Sequence, residues 1–194
     1  QVPGTTWPTS GISKLRGHNS SFSAIKTDGT LWSWGENEKG QLGQNSVTTG
    51  DDAGISSPVQ LPGTTWVKAS RSRSNDSAVF GVRQKGQLFA WGGYNTFGNL
   101  GLNDVTQRSS PTQVPGTNWS EPMAQLSYDG GGQIAGGVKT DGTLWVWGQN
   151  ERGELGQNSI SPGNTGYSSP VQIPGTTWTW IGSGTHHAMG LKSV

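Results

Sequence analysis

One sentence is written three times in this chain. The string "KTDGTLWSWGENEKGQLG" (26–43) returns as "KTDGTLWVWGQNERGELG" (139–156), with a worn copy, "RQKGQLFAWGGYNTFGNLG" (83–101), between them. A second refrain keeps the frame. It reads "QVPGTTW" (1–7), "QLPGTTW" (60–66), "QVPGTNW" (113–119) and "QIPGTTW" (172–178), and its prolines step by 59, 53 and 59 residues. The tryptophan of the "WG" pair steps by 57 and 56 residues, from Trp34 to Trp91 to Trp147. Repeats of this kind are structural units that bury an apolar face only against the next copy. The period suits a propeller blade of four short strands better than a two-helix solenoid unit.

Local signals agree with an all-β reading. Gly, Ser, Thr and Asn are abundant, there are ten Trp, and strong helix formers are scarce. "FSAIK" (22–26) reads as a strand. "TDG" (27–29) reads as a hairpin turn, because Asp-Gly supplies the positive φ such a loop needs. "TLWSWG" (30–35) alternates, with Leu31 and Ser33 on one face and Trp32 and Trp34 on the other. A Gly-punctuated turn, "NEKGQLG", leads outward into loops of variable sequence at 44–56, 93–108 and 157–167. "SPVQLPGTTW" is expected to open the next unit with a Pro-limited edge strand.

"LWSWGENEKGQLG" (31–43) and "LWVWGQNERGELG" (144–156) resemble the signature of the regulator of chromosome condensation repeat family. The accompanying "SSP" and "PGTTW" look like its bacterial and viral branch. The resemblance covers nearly the whole chain and implies a β-propeller, most often of about seven blades. Its structural residues here are Trp34, Gly35, Trp91, Gly92, Trp147 and Gly148. Two departures stand out. The His that the family often carries before the Asp-Gly turn survives only at His187, with Ser21, Ala78 and Ile134 at the aligned positions. The second copy replaces Asp-Gly by Lys85-Gly86.

The 194 residues form a single repeat region of units at about 1–58, 59–111 and 112–170, with a partial unit at 171–194. Three and a half blades leave an open side with unpaired strand edges. The expectation is a fragment of a longer chain, or an arc completed by neighbouring subunits.

The residues argue against chemistry. No Cys is present, so disulfides and thiolate metal sites are excluded. His18, His186 and His187 are too few and too scattered to hold a metal, and adjacent strand residues face opposite sides. Asp51 and Asp52 lie together in a Gly-rich loop but lack the spaced oxygens of a calcium loop. Asp28 and Asp141 recur because the turn needs them. No nucleophile elbow, P-loop or dinucleotide fingerprint occurs. We therefore expect no catalytic residue, no cofactor and no enzyme. The net charge of +1 argues against a nucleic-acid partner, and no apolar run of about 18 residues could span a membrane as a helix.

What is left is recognition. The recurrent tryptophans suit packing between blades. Tyr94, Phe97, Tyr167 and Trp180 break the pattern and are the candidate interface residues. The expected function is a non-enzymatic binding or structural module displayed on a bacterial surface or a virion, as a tail fibre, decoration protein or adhesin. Its partners would be proteins, neighbouring subunits or blades, or a cell-surface glycan. The alternatives are a nucleotide-exchange regulator of a small GTPase, which the family resemblance implies, and a glycan-binding lectin. The expected location is extracellular or on a virion rather than cytoplasmic.

Overall fold

Asp-Gly turns and alternating strands build a series of antiparallel sheets. The computed structural model describes residues 7, 15–18, 20–50, 54–71, 78–125, 133–161, 163, 165–184 and 187–193. Asp51, Asp52 and His186 lie outside the described residues. Among those described there is no helix.

The first sheet takes β1 (Leu15–His18), β2 (Ser21–Ile25), β3 (Leu31–Glu36) and β4 (Gly54–Gln60) in sequence order. The second takes β5 (Trp66–Arg71), β6 (Val79–Arg83), β7 (Leu88–Trp91) and β8 (Thr112–Gln113), and the third β9 (Trp119–Gln125), β10 (Ile134–Lys139), β11 (Leu144–Gln149) and β12 (Gly166–Ile173). A two-stranded sheet of β13 (Trp178–Gly184) and β14 (His187–Lys192) follows. The first strands touch in succession, β1 on β5, β5 on β9 and β9 on β13. That is the order of propeller blades ranged about an axis, as the sequence led us to expect.

One assignment is corrected. "SPVQ" does not open a new blade, because β4 pairs with β3 and completes the preceding sheet. Pro58 has no N–H to give, so it fits an outermost strand, where one side needs no partner. The refrain after it is the crossing between blades. Leu61 N–H donates to Leu31 O (2.8 Å), and Trp66 N–H then donates to Gly29 O (2.9 Å) in the preceding hairpin turn. The same stitch recurs from Trp119 to Gly86 and from Trp178 to Gly142, each at 3.0 Å. Each sheet therefore starts a few residues after the unit boundary drawn in the sequence.

The core lies in the seams between sheets. Ile25, Leu31 and Leu61 of the first sheet meet Trp66, Ala69, Val79 and Trp91 of the second. Phe80, Val82, Leu88 and Leu100 of the second meet Trp119, Ala135 and Trp147 of the third. Inner sheets are thus buried on both faces, which period-2 alternation alone does not reveal. Leu31 and Ser33 are buried, and Trp34 on the first sheet is only partly so, whereas Trp91 and Trp147 are covered completely. Each covered indole also reaches across its seam. Trp91 Nε1–H donates to Gln41 O (3.3 Å), and Trp147 Nε1–H donates to Asn99 O (3.0 Å). Gly43 and Gly101 are needed there, since a Cβ would lie 2.9 Å and 2.8 Å from those indole nitrogens.

At the hairpin ends, Asp28 Oδ1 accepts from Thr30 N–H (3.0 Å) and Thr30 Oγ1–H (2.7 Å), and Trp32 Nε1–H donates to Thr30 Oγ1 (2.8 Å). Asp141, Thr143 and Trp145 repeat this relay. A cation follows each inner tryptophan. Lys26 Nζ sits 4.6 Å from the Trp7 ring and 4.2 Å from Trp32, and Lys139 Nζ 4.8 Å from Trp119 and 4.4 Å from Trp145. The hydrogen bonds from Thr30 and Thr143, in the first place their hydroxyls, hold the Asp28 and Asp141 carboxyls below their ordinary value.

Two outcomes follow from this packing. Trp147→Phe keeps an aromatic ring but loses the bond to Asn99, and should cost about 1–3 kcal/mol in urea unfolding, against about 3–5 kcal/mol for Trp147→Ala. Depressed carboxyl values mean that the stability they lend is complete above about pH 4 and is lost as pH falls through the folded values. Unfolding midpoints of Asp28→Asn/Asp141→Asn should therefore fall less steeply below pH 4 than those of the wild type.

Candidate binding surface

The third strand of every blade ends on the same side of the arc and hands the chain to a loop. A buried Asn organises each handover. Asn37, Asn95 and Asn150 are 0%, 2% and 0% exposed. Their Oδ1 atoms accept from Leu42, Leu100 and Leu155 N–H at 3.0, 2.9 and 3.1 Å. Their Nδ2 groups donate to Ser46, Asp104 and Ser159 O at 3.0, 3.1 and 3.0 Å. One side chain thus closes the Gly-rich turn and pins the loop that follows it.

The residue before each pinned carbonyl is again Asn, with positive φ, at Asn45 (56°), Asn103 (64°) and Asn158 (53°). Asn tolerates that region better than other side chains. Asn45 N–H donates to Ser109 O (2.8 Å) and Asn103 N–H to Ser168 O (2.9 Å), so each of these loops is tied to the next blade. The residue after the pinned carbonyl is a β-branched aliphatic turned outward. Val47, Val105 and Ile160 are 51%, 62% and 62% exposed. Three loops therefore offer the same apolar tip on the same kind of anchor. Sequence reading treated these loops as variable and missed the pattern. The signal was present as "NSV", "NDV" and "NSI" at one offset from the "LG" turn.

The four expected interface aromatics do not share a surface. Tyr94 is exposed on the loop side, with Lys39 Nζ of the preceding blade 4.7 Å from its ring. Phe97 is half-buried, and its carbonyl closes on Gly166 of the third sheet, 2.6 Å from where a Cβ would stand. Tyr167 is half-buried beside the third core cluster, with its hydroxyl 3.2 Å from Ser159 Oγ. Trp180 is exposed on the two-stranded sheet, folded over Gly182. Gly35 and Gly148 mark the bulges that end the third strand, at φ 97° and 100°, and Gly92 N–H bonds Arg108 O (2.7 Å).

Among the described residues, no group of three or more His, Cys, Asp or Glu could hold a metal ion. No helix among them is long and apolar enough to cross a membrane. His187 is exposed on β14.

The family described as "Regulator of chromosome condensation (RCC1) repeat" matches residues 28–72, 85–127 and 141–191. Protein RCC2 of Homo sapiens is 32% identical over 136 residues, which cover 70% of this chain and 24% of that protein. The ultraviolet-B receptor UVR8 of Arabidopsis thaliana is 27% identical over 173 residues, covering 88% and 36%. Among solved structures, Prp20p of Saccharomyces cerevisiae superposes with a TM-score of 0.68 at 19% identity, over 93% of this chain and 44% of that one. Human WBSCR16 gives 0.64 at 20% identity, over 91% and 44%. This chain thus spans less than half the length of each of these relatives.

The loop anchors and their tips should separate on mutation. Asn95→Ala leaves the Leu100 amide without an acceptor and should cost about 1–3 kcal/mol in chemical denaturation. Val105→Ser removes only an exposed methyl pair and should stay within about 0.5 kcal/mol of wild type.

Proposed function

The chain belongs to the regulator of chromosome condensation repeat family, and on that premise we propose that it is a non-catalytic binding module whose loop side holds a protein partner. The observation that carries this is the set of matched tips, Val47, Val105 and Ile160, each exposed and each held by a buried Asn. A scaffold that repeats a rigid anchor beneath an apolar tip presents a surface that loses little freedom on binding. RCC2, UVR8 and Prp20p support a recognition role as relatives of the same repeat architecture. A closed ring of about seven blades, completed by a longer polypeptide or by neighbouring chains, is the assembly we propose around this arc.

The narrower form of the proposal puts this surface outside the cell, on a bacterium or a virion. It rests on the refrain's likeness to the bacterial and viral branch, and the eukaryotic relatives named above lend it no weight. Fractionation with an antibody to the chain tests it; recovery in the cytoplasm alone would overturn it.

The triple variant Val47→Ser/Val105→Ser/Ile160→Ser tests the rim directly. It should keep the wild-type unfolding curve and lose the proteins that cross-link to the wild type; an unchanged cross-linking pattern would sink the reading. Regulation of a small GTPase is the rival, favoured by the likeness to Prp20p, a protein described with binding properties to Gsp1p and histones. A nucleotide-exchange assay should show no stimulated release with this chain, and clear stimulation would replace our choice with the rival. A glycan array should be blank. Signal that disappears in Tyr94→Ala or Phe97→Ala would revive the lectin.

A further inference from the structure

One seam is built unlike its neighbour. Between the second and third sheets, Phe80 packs on Trp147 with ring centroids 5.8 Å apart. Val79 pairs with Trp91 as Phe22 does with Trp34, so the first-sheet residue matching Phe80 is Ser23. Ser23 is buried, and its Oγ has no hydrogen-bond partner. On the facing sheet the same comparison sets Arg71 of β5 against Ala124 of β9, since Arg71 pairs with Val79 and Ala124 with Ala135.

Neither terminal nitrogen of the Arg71 guanidinium has a partner among the described residues. Arg71 is 7% exposed, and both Nη1 and Nη2 are buried without an acceptor. Burial lowers its pKa to about 10, which leaves it charged at neutral pH. The attraction of Glu36 opposes that shift, yet the two form no ion pair. Arg71 ends β5 and Glu36 ends β3, so both lie at the loop end of the seam between the first two sheets. Buried charges are normally paired, and a guanidinium with two free fork nitrogens matches an oxyanion bidentately.

We propose that Arg71 is an oxyanion site at the loop end of this seam, taking a carboxylate of a protein partner or a free inorganic phosphate, with Glu36 as its internal competitor. Both nitrogens are covered in this state, and Glu36 at the same end of the seam is half-buried. The site is separate from the apolar tips, and loss of the tip contacts would leave it intact.

The test is thermal unfolding of the wild type, Arg71→Leu and Glu36→Gln at constant ionic strength, against sodium chloride. The probes are inorganic phosphate and hexaglutamate. The wild type should show a saturable rise of roughly 3 °C, and Arg71→Leu none. Glu36→Gln should reach the same rise at a several-fold lower concentration. A response to phosphate alone identifies a free anion as the ligand, one to hexaglutamate alone identifies a partner carboxylate, and a response to both supports the shared site. No response in the wild type, or an equal one in Arg71→Leu, overturns the proposal. If the Leu variant does not fold, Arg71→Lys decides. It keeps the charge without the fork and should need many-fold more ligand, and a wild-type response from it would reduce the effect to general charge screening.

Discussion

An indole that crosses a seam holds this arc together. Trp91 and Trp147 are buried, and each gives its N–H to a carbonyl of the sheet before it. Other features of the repeat serve that contact. Gly43 and Gly101 lack a Cβ where the indole lies. The bulge at Gly148 turns the chain away directly after the tryptophan, and in the blade before it buried Asn95 fixes the turn whose Asn99 carbonyl accepts the Trp147 N–H. A sheet of this size cannot hide both faces alone, so its stability is shared with its neighbours, as in other repeat arrays.

The two ends of the blades divide the work. The hairpin end is uniform. The refrain stitch and a cation between aromatic rings recur on all three four-stranded sheets, and the Asp-Thr-Trp relay on the first and third. Even the second blade, which has Lys85 in place of Asp, closes its turn through Gly86 N–H to Arg83 O (2.8 Å), much as Gly29 bonds Lys26 O (3.0 Å). The loop end repeats its anchors and lets the rest vary. Recognition belongs there, because a change in a loop beyond its Asn anchor leaves the seam untouched.

Much of this is legible in the residues alone. Matched tryptophans and Asp-Gly turns pointed to blades, and Pro58 pointed to an edge strand. The sheet that owns that edge strand could not be read, because a Pro-limited strand serves equally well as the first or the last of a blade. The loop anchors were missed for a different reason. An Asn in a polar loop looks solvated in sequence, and only its burial shows that it supports both the turn and the loop. Arg71 was hidden in the same way. "VKASRSRSN" reads as a basic loop among serines, yet its first arginine ends a strand inside a seam.

The sequence by itself determined the unit and its period, because side-chain alternation, turn chemistry and recurrence are local properties of the chain. It also determined that tryptophan would do the packing. The tertiary structure decided which faces meet, which sheet receives each edge strand, and which polar groups are left without partners. Those follow from the rotation between blades, which places residues some 50 positions apart in contact, such as Trp91 and Gln41, and no local pattern encodes that rotation.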